Sequence, residues 1–267
     1  MYQGIWSQFE RPAAALVIRQ TISGFIVAPF FVYFVFLARA IIFTTLEKVR
    51  PARPHSYRPT IRNDLVAVAA YSWIVFPLAS SVNRLAPISL SLPLGVESVP
   101  IPIRIALYLV AADFGYYWMH RLMHTRHVWR VHMWHHSPPF IYWLAGMRAT
   151  VPQQVLVNIP YVLVYPLVDS SAWWIQIAIA MHVGFKNDWQ HMNVAWRSHW
   201  LEWIFVTPRY HQIHHSADPR HYVANLGDLL TVWDRLFGTY VDPAKVRETL
   251  SFGIDSTPHP VRLVLGV

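Results

Sequence analysis

Residues 101–136 read IPIRIALYLVAADFGYYWMHRLMHTRHVWRVHMWHH, an apolar run from Ile101 that ends in a cluster of histidines at His120. His120 and His124 stand i,i+4, a spacing that stacks both imidazoles on one helix face within reach of one metal ion. His132, His135 and His136 form an HxxHH cluster with further i,i+3 and i,i+4 pairs. Adjacent His135 and His136 project about 100° apart on a helix and can serve two different ions. The i,i+4 spacing recurs at Asn187 and His191, and a second HxxHH follows at His211, His214 and His215.

Composition narrows the setting. Hydrophobic residues make up 54% of the 267 and charged residues only 13%, about half the usual share for a soluble chain. Cysteine is absent, which excludes disulfides and thiolate metal sites, so any metal must be held by nitrogen and oxygen. Histidine occurs 15 times. The formal charge of +8 falls mostly in loops between apolar runs, a pattern that suits an anionic membrane face and argues against nucleic acid. No cleavable leader is expected, because the first apolar run is long and lacks a small-residue cleavage site.

Five apolar runs are readable, at about residues 22–46, 65–86, 101–120, 151–168 and 172–189. The first is long enough to span with tilt, and with Pro29 and Arg39 inside it both a kinked span and a short re-entrant pair are open. The last two, separated by Asp169, Ser170 and Ser171, are short and predict a helical hairpin. Lys48, Arg50, Arg53, Arg58 and Arg62 place the loop after the first run in the cytoplasm. The connection from Pro87 to Pro100, with Glu97 as its single charge, lies opposite. The third run then returns His120 to the cytoplasmic side, and the hairpin returns His191 there. The fold expected is an all-α integral membrane protein of four to five transmembrane helices, with a helical cytosolic cap. Residues 1–100 are read as membrane spans and loops, 101–241 as the catalytic region, and 242–267 as a tail.

The histidine clusters resemble the three histidine boxes of the fatty acid hydroxylase/sterol desaturase superfamily. Residues 207–216, TPRYHQIHHS, look like its third box. Asn225-Leu226-Gly227 with residues 233–239, WDRLFGT, looks like its C-terminal signature, and residues 190–193, QHMN, resemble its additional histidine. The resemblance covers roughly residues 113–241. It implies helical spans capped by a cytosolic domain with a dinuclear centre of two iron ions, and O2 as co-substrate; zinc can displace iron at such nitrogen sites in a purified sample. It also implies hydroxylation or desaturation of a membrane lipid, with electrons from a separate ferredoxin- or cytochrome b5-like donor and its reductase. Asn187 stands where some relatives have histidine, and acts as a weak ligand, through water, or not at all.

The metal and catalytic set is therefore His120, His124, His132, His135, His136, His191, His211, His214 and His215, with Asn187 beside it. Ligating imidazoles usually donate their second N–H to an oxygen, so at least one of Asp113, Asp228 and Asp234 is expected to orient a ligand. His127, His199 and His221 read as surface or supporting histidines, His182 as a reserve ligand, and His55 and His259 as irrelevant. Trp118, Trp129, Trp134, Trp143, Trp189 and Trp196 read as interfacial anchors. A zinc hydrolase is disfavoured because HExxH is absent and neither HxxHH contains a carboxylate. The remaining alternative is a metal-binding or metal-transport membrane protein. Against it, the histidines gather at helix ends, away from mid-membrane depth.

Overall fold

The computed structural model describes residues 34–54, 57, 58, 60–85, 95–168, 173–247 and 249–254. The chain divides into two compact units, residues 1–40 and 41–267. In the first, the described residues 34–40 are helical. Residues 22–33 of the first expected span lie outside the described residues, as do His55 and His259.

The second unit is all helical among its described residues, with isolated β-bridges and no strand. Helix α1 covers residues 41–49. Helices α2 (Ile61–Ala70) and α3 (Phe76–Leu85) run on through a π turn, Tyr71–Val75. Pro77 accounts for that turn: it has no N–H for the Trp73 carbonyl, and its ring would clash there, so the ladder widens just before it. Then come α4 (Ile101–Met123), α5 (Trp129–His136), a 3-10 turn (Trp143–Met147) and α6 (Val151–Val164). After these come α7 (Trp173–His191), α8 (His199–Ile204), α9 (Pro208–His214) and α10 (Val232–Leu236).

Among the described residues one helix, Ile61–Val82, is both long and apolar enough to cross a membrane. Its 22 residues reach about 33 Å, against a hydrocarbon core of about 30 Å. Helix α4 is as long but carries Arg104, Asp113 and Arg121, and α6, at 14 residues, reaches only about 21 Å. Even so, α4 leaves Ile103, Leu107, Val110, Phe114 and Trp118 exposed along one face, and α7 does the same with Trp174, Ile177, Met181 and Phe185. The opposite face of α4 buries Tyr108, Ala112, Asp113, Tyr117 and His120.

The two helices of the expected hairpin take their main packing from different partners. Helix α6 packs against α4 and α3, while α7 packs against the Trp143–Met147 turn and α9. The two share a cluster near their connection, where Tyr108, Tyr161, Val164 and Ile175 meet, and touch again where Lys186 Nζ of α7 donates to Tyr161 OH of α6 at 2.9 Å. Gly115 lets α4 and α6 approach closely, since a Cβ there would lie 2.7 Å from the Pro160 ring. This separate packing leaves the carboxyl end of α7 free to enter the histidine cluster.

Candidate metal centre

Four helices bring the nine predicted histidines together. Helix α4 ends on His120 and His124, and α5 carries His132, His135 and His136. Helix α7 ends on His191, and α9 holds His211 and His214 with His215 as its C-cap. They sort into two sets, His120, His124, His132, His136 and His214 in one, and His135, His191, His211 and His215 in the other. Within each set the ring nitrogens lie within 4.8 Å of one another. Neighbours in sequence separate as helical angles require: His135 and His136 go to different sets, and so do His214 and His215.

In the four-histidine set, Nε2 of His191 lies 3.2 Å from that of His135, 3.1 Å from that of His215 and 3.2 Å from that of His211. His215 and His211 are 3.1 Å apart at the same atoms. Ligands held about 2.0–2.1 Å from one ion stand roughly 3.0–3.4 Å apart, so this spacing fits a shared cation. In the other set, Nε2 of His120 and His132 are 3.1 Å apart, and Nε2 of His124, His136 and His214 are buried with no hydrogen-bond partner. Buried unpartnered nitrogens are costly, and three of them beside a close pair match the donor set of a metal ion.

Burial, then repulsion from neighbouring imidazoles, holds His132, His135, His136, His211, His214 and His215 well below the usual imidazole range. They are neutral near pH 7, the form that binds metal. The same depression has a consequence for stability. Below about pH 6.5 the unfolded chain takes up protons that the folded chain refuses, so stability falls as pH falls. Each histidine that stays neutral contributes a slope of about 1.4 kcal/mol per pH unit. Metal-free protein is expected to lose near-UV circular dichroism between about pH 6.5 and 5, and bound metal to shift that transition to lower pH. A transition unchanged by metal would contradict this.

The rings are aimed by main-chain carbonyls. Nδ1 of His120 hydrogen-bonds the Leu226 carbonyl at 2.8 Å and that of His214 the Ala224 carbonyl at 3.0 Å. Nδ1 of His135 meets the Arg148 carbonyl at 3.2 Å and that of His191 the Asn187 carbonyl at 2.7 Å. These contacts leave the Nε2 lone pairs pointing inward. Asn187 thus serves His191 through its backbone, and its side-chain amide stands over Gly146.

The expectation that an aspartate orients a ligand is corrected, because all three act one step further out. Asp234 accepts from Leu226 N and Gly227 N at 2.7 Å, Tyr210 OH at 2.7 Å and Thr239 Oγ1 at 2.6 Å. It therefore fixes the strap whose carbonyls hold His120 and His214. Asp113 accepts from Leu229 N, Leu230 N and Trp233 Nε1. Asp228 pairs with Lys186 and accepts from Tyr161 OH at 3.0 Å. Trp134 and Trp143 are also corrected: both are buried core rather than interfacial anchors. His221 is buried, His127 and His199 are exposed, and His182 lines a separate cavity of about 640 Å³ bounded by Phe43, Met181, Phe185 and Leu201.

The supporting roles of four residues escaped sequence reasoning, that of Asn225 included although it stands in the C-terminal signature. Asn225 has φ 54°, the left-handed conformation Asn tolerates, and so turns the carbonyls on either side of it toward His214 and His120. Its side chain is tied to Tyr210 O and Val241. Buried Glu47 accepts from Trp143 N and Asn193 N, joining the turn and the loop that flank His191. Arg148 pairs with Asp64 at 2.6 Å while its carbonyl holds His135. Gly146 is the fourth, since a Cβ there would lie 2.7 Å from His191 Nδ1 and 2.6 Å from Asn187 Nδ2. Gly146→Ala is expected to lower metal affinity at the four-histidine set about ten- to hundredfold, measured by competition with a chelator. Unchanged affinity would show that the turn yields freely.

The sequence profile of the fatty acid hydroxylase family matches residues 105–239, half of the chain, and the chain belongs to that family. It is 31% identical over 160 residues to an alkylglycerol monooxygenase of Xenopus tropicalis, covering 58% of this chain and 33% of that protein. With an ornithine lipid hydroxylase of Rhizobium tropici it shares 33% identity over 190 residues, 69% of this chain and 56% of the relative. A Δ7-sterol 5(6)-desaturase of Gibberella zeae is 26% identical over 146 residues, 51% of this chain and 41% of that enzyme. The chain thus spans about a third to just over half of the length of these relatives. No solved structure matches.

Proposed function

We propose that this chain is an O2-dependent oxygenase that hydroxylates a membrane lipid at a pair of iron ions. One ion is assigned to His120, His124, His132, His136 and His214, the other to His135, His191, His211 and His215. The observation that carries the reading is the convergence of nine neutral imidazoles, eight buried and His124 half-buried, in two sets. Bound iron would supply the reductive activation of O2 that an unactivated C–H bond requires. The chain holds the nitrogens in fixed geometry, keeps them neutral and shields them from water. In balance, R–H, O2, two electrons and two protons give R–OH and water. The electrons come from a separate ferredoxin- or cytochrome b5-like protein and its reductase.

Residues 101–241 form the catalytic region in this reading, between amino-terminal spans and the tail from 242. The exposed apolar stripes on α4 and α7, with the Ile61–Val82 helix, support a multi-pass arrangement. The basic loop after α1 lies on the histidine side, where Arg53 Nη1 donates to Gln212 Oε1 of the third box at 3.0 Å. This supports a centre on the cytoplasmic face. Names of relatives that include a monooxygenase and a lipid hydroxylase favour hydroxylation over desaturation. The test is iron-loaded protein in lipid nanodiscs with NADPH, a ferredoxin and its reductase under 18O2, read by mass spectrometry. A lipid product carrying one 18O is expected. A product that has only lost two hydrogens would overturn hydroxylation, and no lipid change with reducible iron would overturn the oxygenase reading.

A further inference from the structure

The five-histidine set reaches close to the surface at one place, the connection from α4 to α5. His124, at the end of α4, is half-buried, whereas the other eight histidines are buried. Its ring lies 5.4 Å from the half-buried ring of Trp129, the first residue of α5. Trp129 in turn lies 5.2 Å from His136 and 6.3 Å from His132. One aromatic side chain thus bridges the outer edge of the chain and three members of the set.

The surface around Trp129 is basic and polar. Thr125, Arg126, His127 and Arg130 are exposed. The side chain of neither Arg126 nor Arg130 makes a hydrogen bond or ion pair among the described residues. No Asp or Glu occurs anywhere between Asp113 and Asp169, so no carboxylate from this part of the chain offsets the two guanidinium groups. The surface also differs from α8, where Trp200, Trp203 and Ile204 are exposed as a membrane interface would require. Among residues 125–130 the apolar Val128 and Trp129 are half-buried and every exposed side chain is polar or basic, which favours a protein partner over lipid.

We propose that residues 125–130 are the docking surface for an acidic one-electron carrier protein, with Trp129 as the contact through which its electrons reach the five-histidine set. The proposal rests on the oxygenase reading, which calls for two electrons per turnover. Each reduced carrier gives up one electron here and leaves oxidised, so two docking events meet the balance. Complementary charge at such a surface acts mainly on the association rate and is screened by salt.

The test uses the full-length, iron-loaded protein, with a plant-type [2Fe–2S] ferredoxin as the carrier and dithionite as a small reductant. Anaerobic stopped flow follows each reduction. The ferredoxin rate is expected to fall about tenfold for wild type between 50 and 300 mM salt, and about tenfold for Arg126→Glu with Arg130→Glu at low salt. Dithionite reduction should be equal in both proteins. Arg197→Glu, at an exposed arginine just before α8, should behave as wild type. Equal ferredoxin rates in wild type and the double variant, with dithionite reduction intact, would overturn the docking proposal alone. A double variant that keeps its ferredoxin rate but no longer binds phosphatidylserine vesicles would assign this surface to lipid and likewise overturn it. Wild-type metal that neither reductant reduces would overturn the oxygenase reading together with the proposal.

Discussion

Replacing His191 with alanine is expected to remove about one of two metal equivalents per chain and to lower lipid turnover about a thousandfold or more. His191 is the member of the four-histidine set whose Nε2 touches all three others, at 3.1–3.2 Å. Its loss leaves three imidazoles around a gap and also frees the Asn187 carbonyl that its ring engaged. None of the five histidines of the other set depends on His191 for its Nδ1 contact, so that ion should remain. Plasma mass spectrometry of the metal with a lipid assay reads both effects. Two retained metals would show that His191 is no ligand, and loss of both would show that the sets do not fill independently.

The second large effect is expected at Asp234, which touches no histidine. Its carboxylate collects four donors in a fully buried position. Asp234→Ala strands them, at a cost of about 3–5 kcal/mol. For a chain of this size that lowers the melting temperature by about 10 °C. The strap it releases carries the Leu226 carbonyl behind His120, so affinity at the five-histidine set should fall about tenfold or more as well. Asp234→Asn keeps part of the acceptor capacity and should lie between. A melting temperature within about 2 °C of wild type would refute this role. Gly227 belongs to the same device, because a Cβ there would lie 2.6 Å from the Leu230 carbonyl and 2.8 Å from Asp234 Oδ2.

Much of the site could be read in the sequence because its chemistry is local. The i,i+4 pairs and the two HxxHH clusters lie on single helices, where spacing sets direction, and all nine histidines come together. What supports them could not be read, because it is long-range. The carbonyls behind His120 and His214 come from a strap 106 and 10 residues away, and no sequence pattern marks a carbonyl. Asn225-Leu226-Gly227 did offer a signal, two residues prone to special backbone conformations around an apolar one. The aspartates were misplaced for the same reason: Asp113 shares a face with His120, yet its partners are Leu229, Leu230 and Trp233, more than a hundred residues on. The helical class is evident from hydropathy, whereas Trp143 is covered by Phe43 and Thr44, about a hundred residues earlier, which periodicity cannot show.

The claim on which all else depends is that the nine histidines hold two metal ions. Its most direct test is metal content per chain in anaerobically purified protein, for wild type and for His135→Ala combined with His214→Ala, one histidine from each set. About two irons per wild-type chain, lost in the double variant, is the result this account predicts. One metal or none, unaffected by the substitutions, would contradict it.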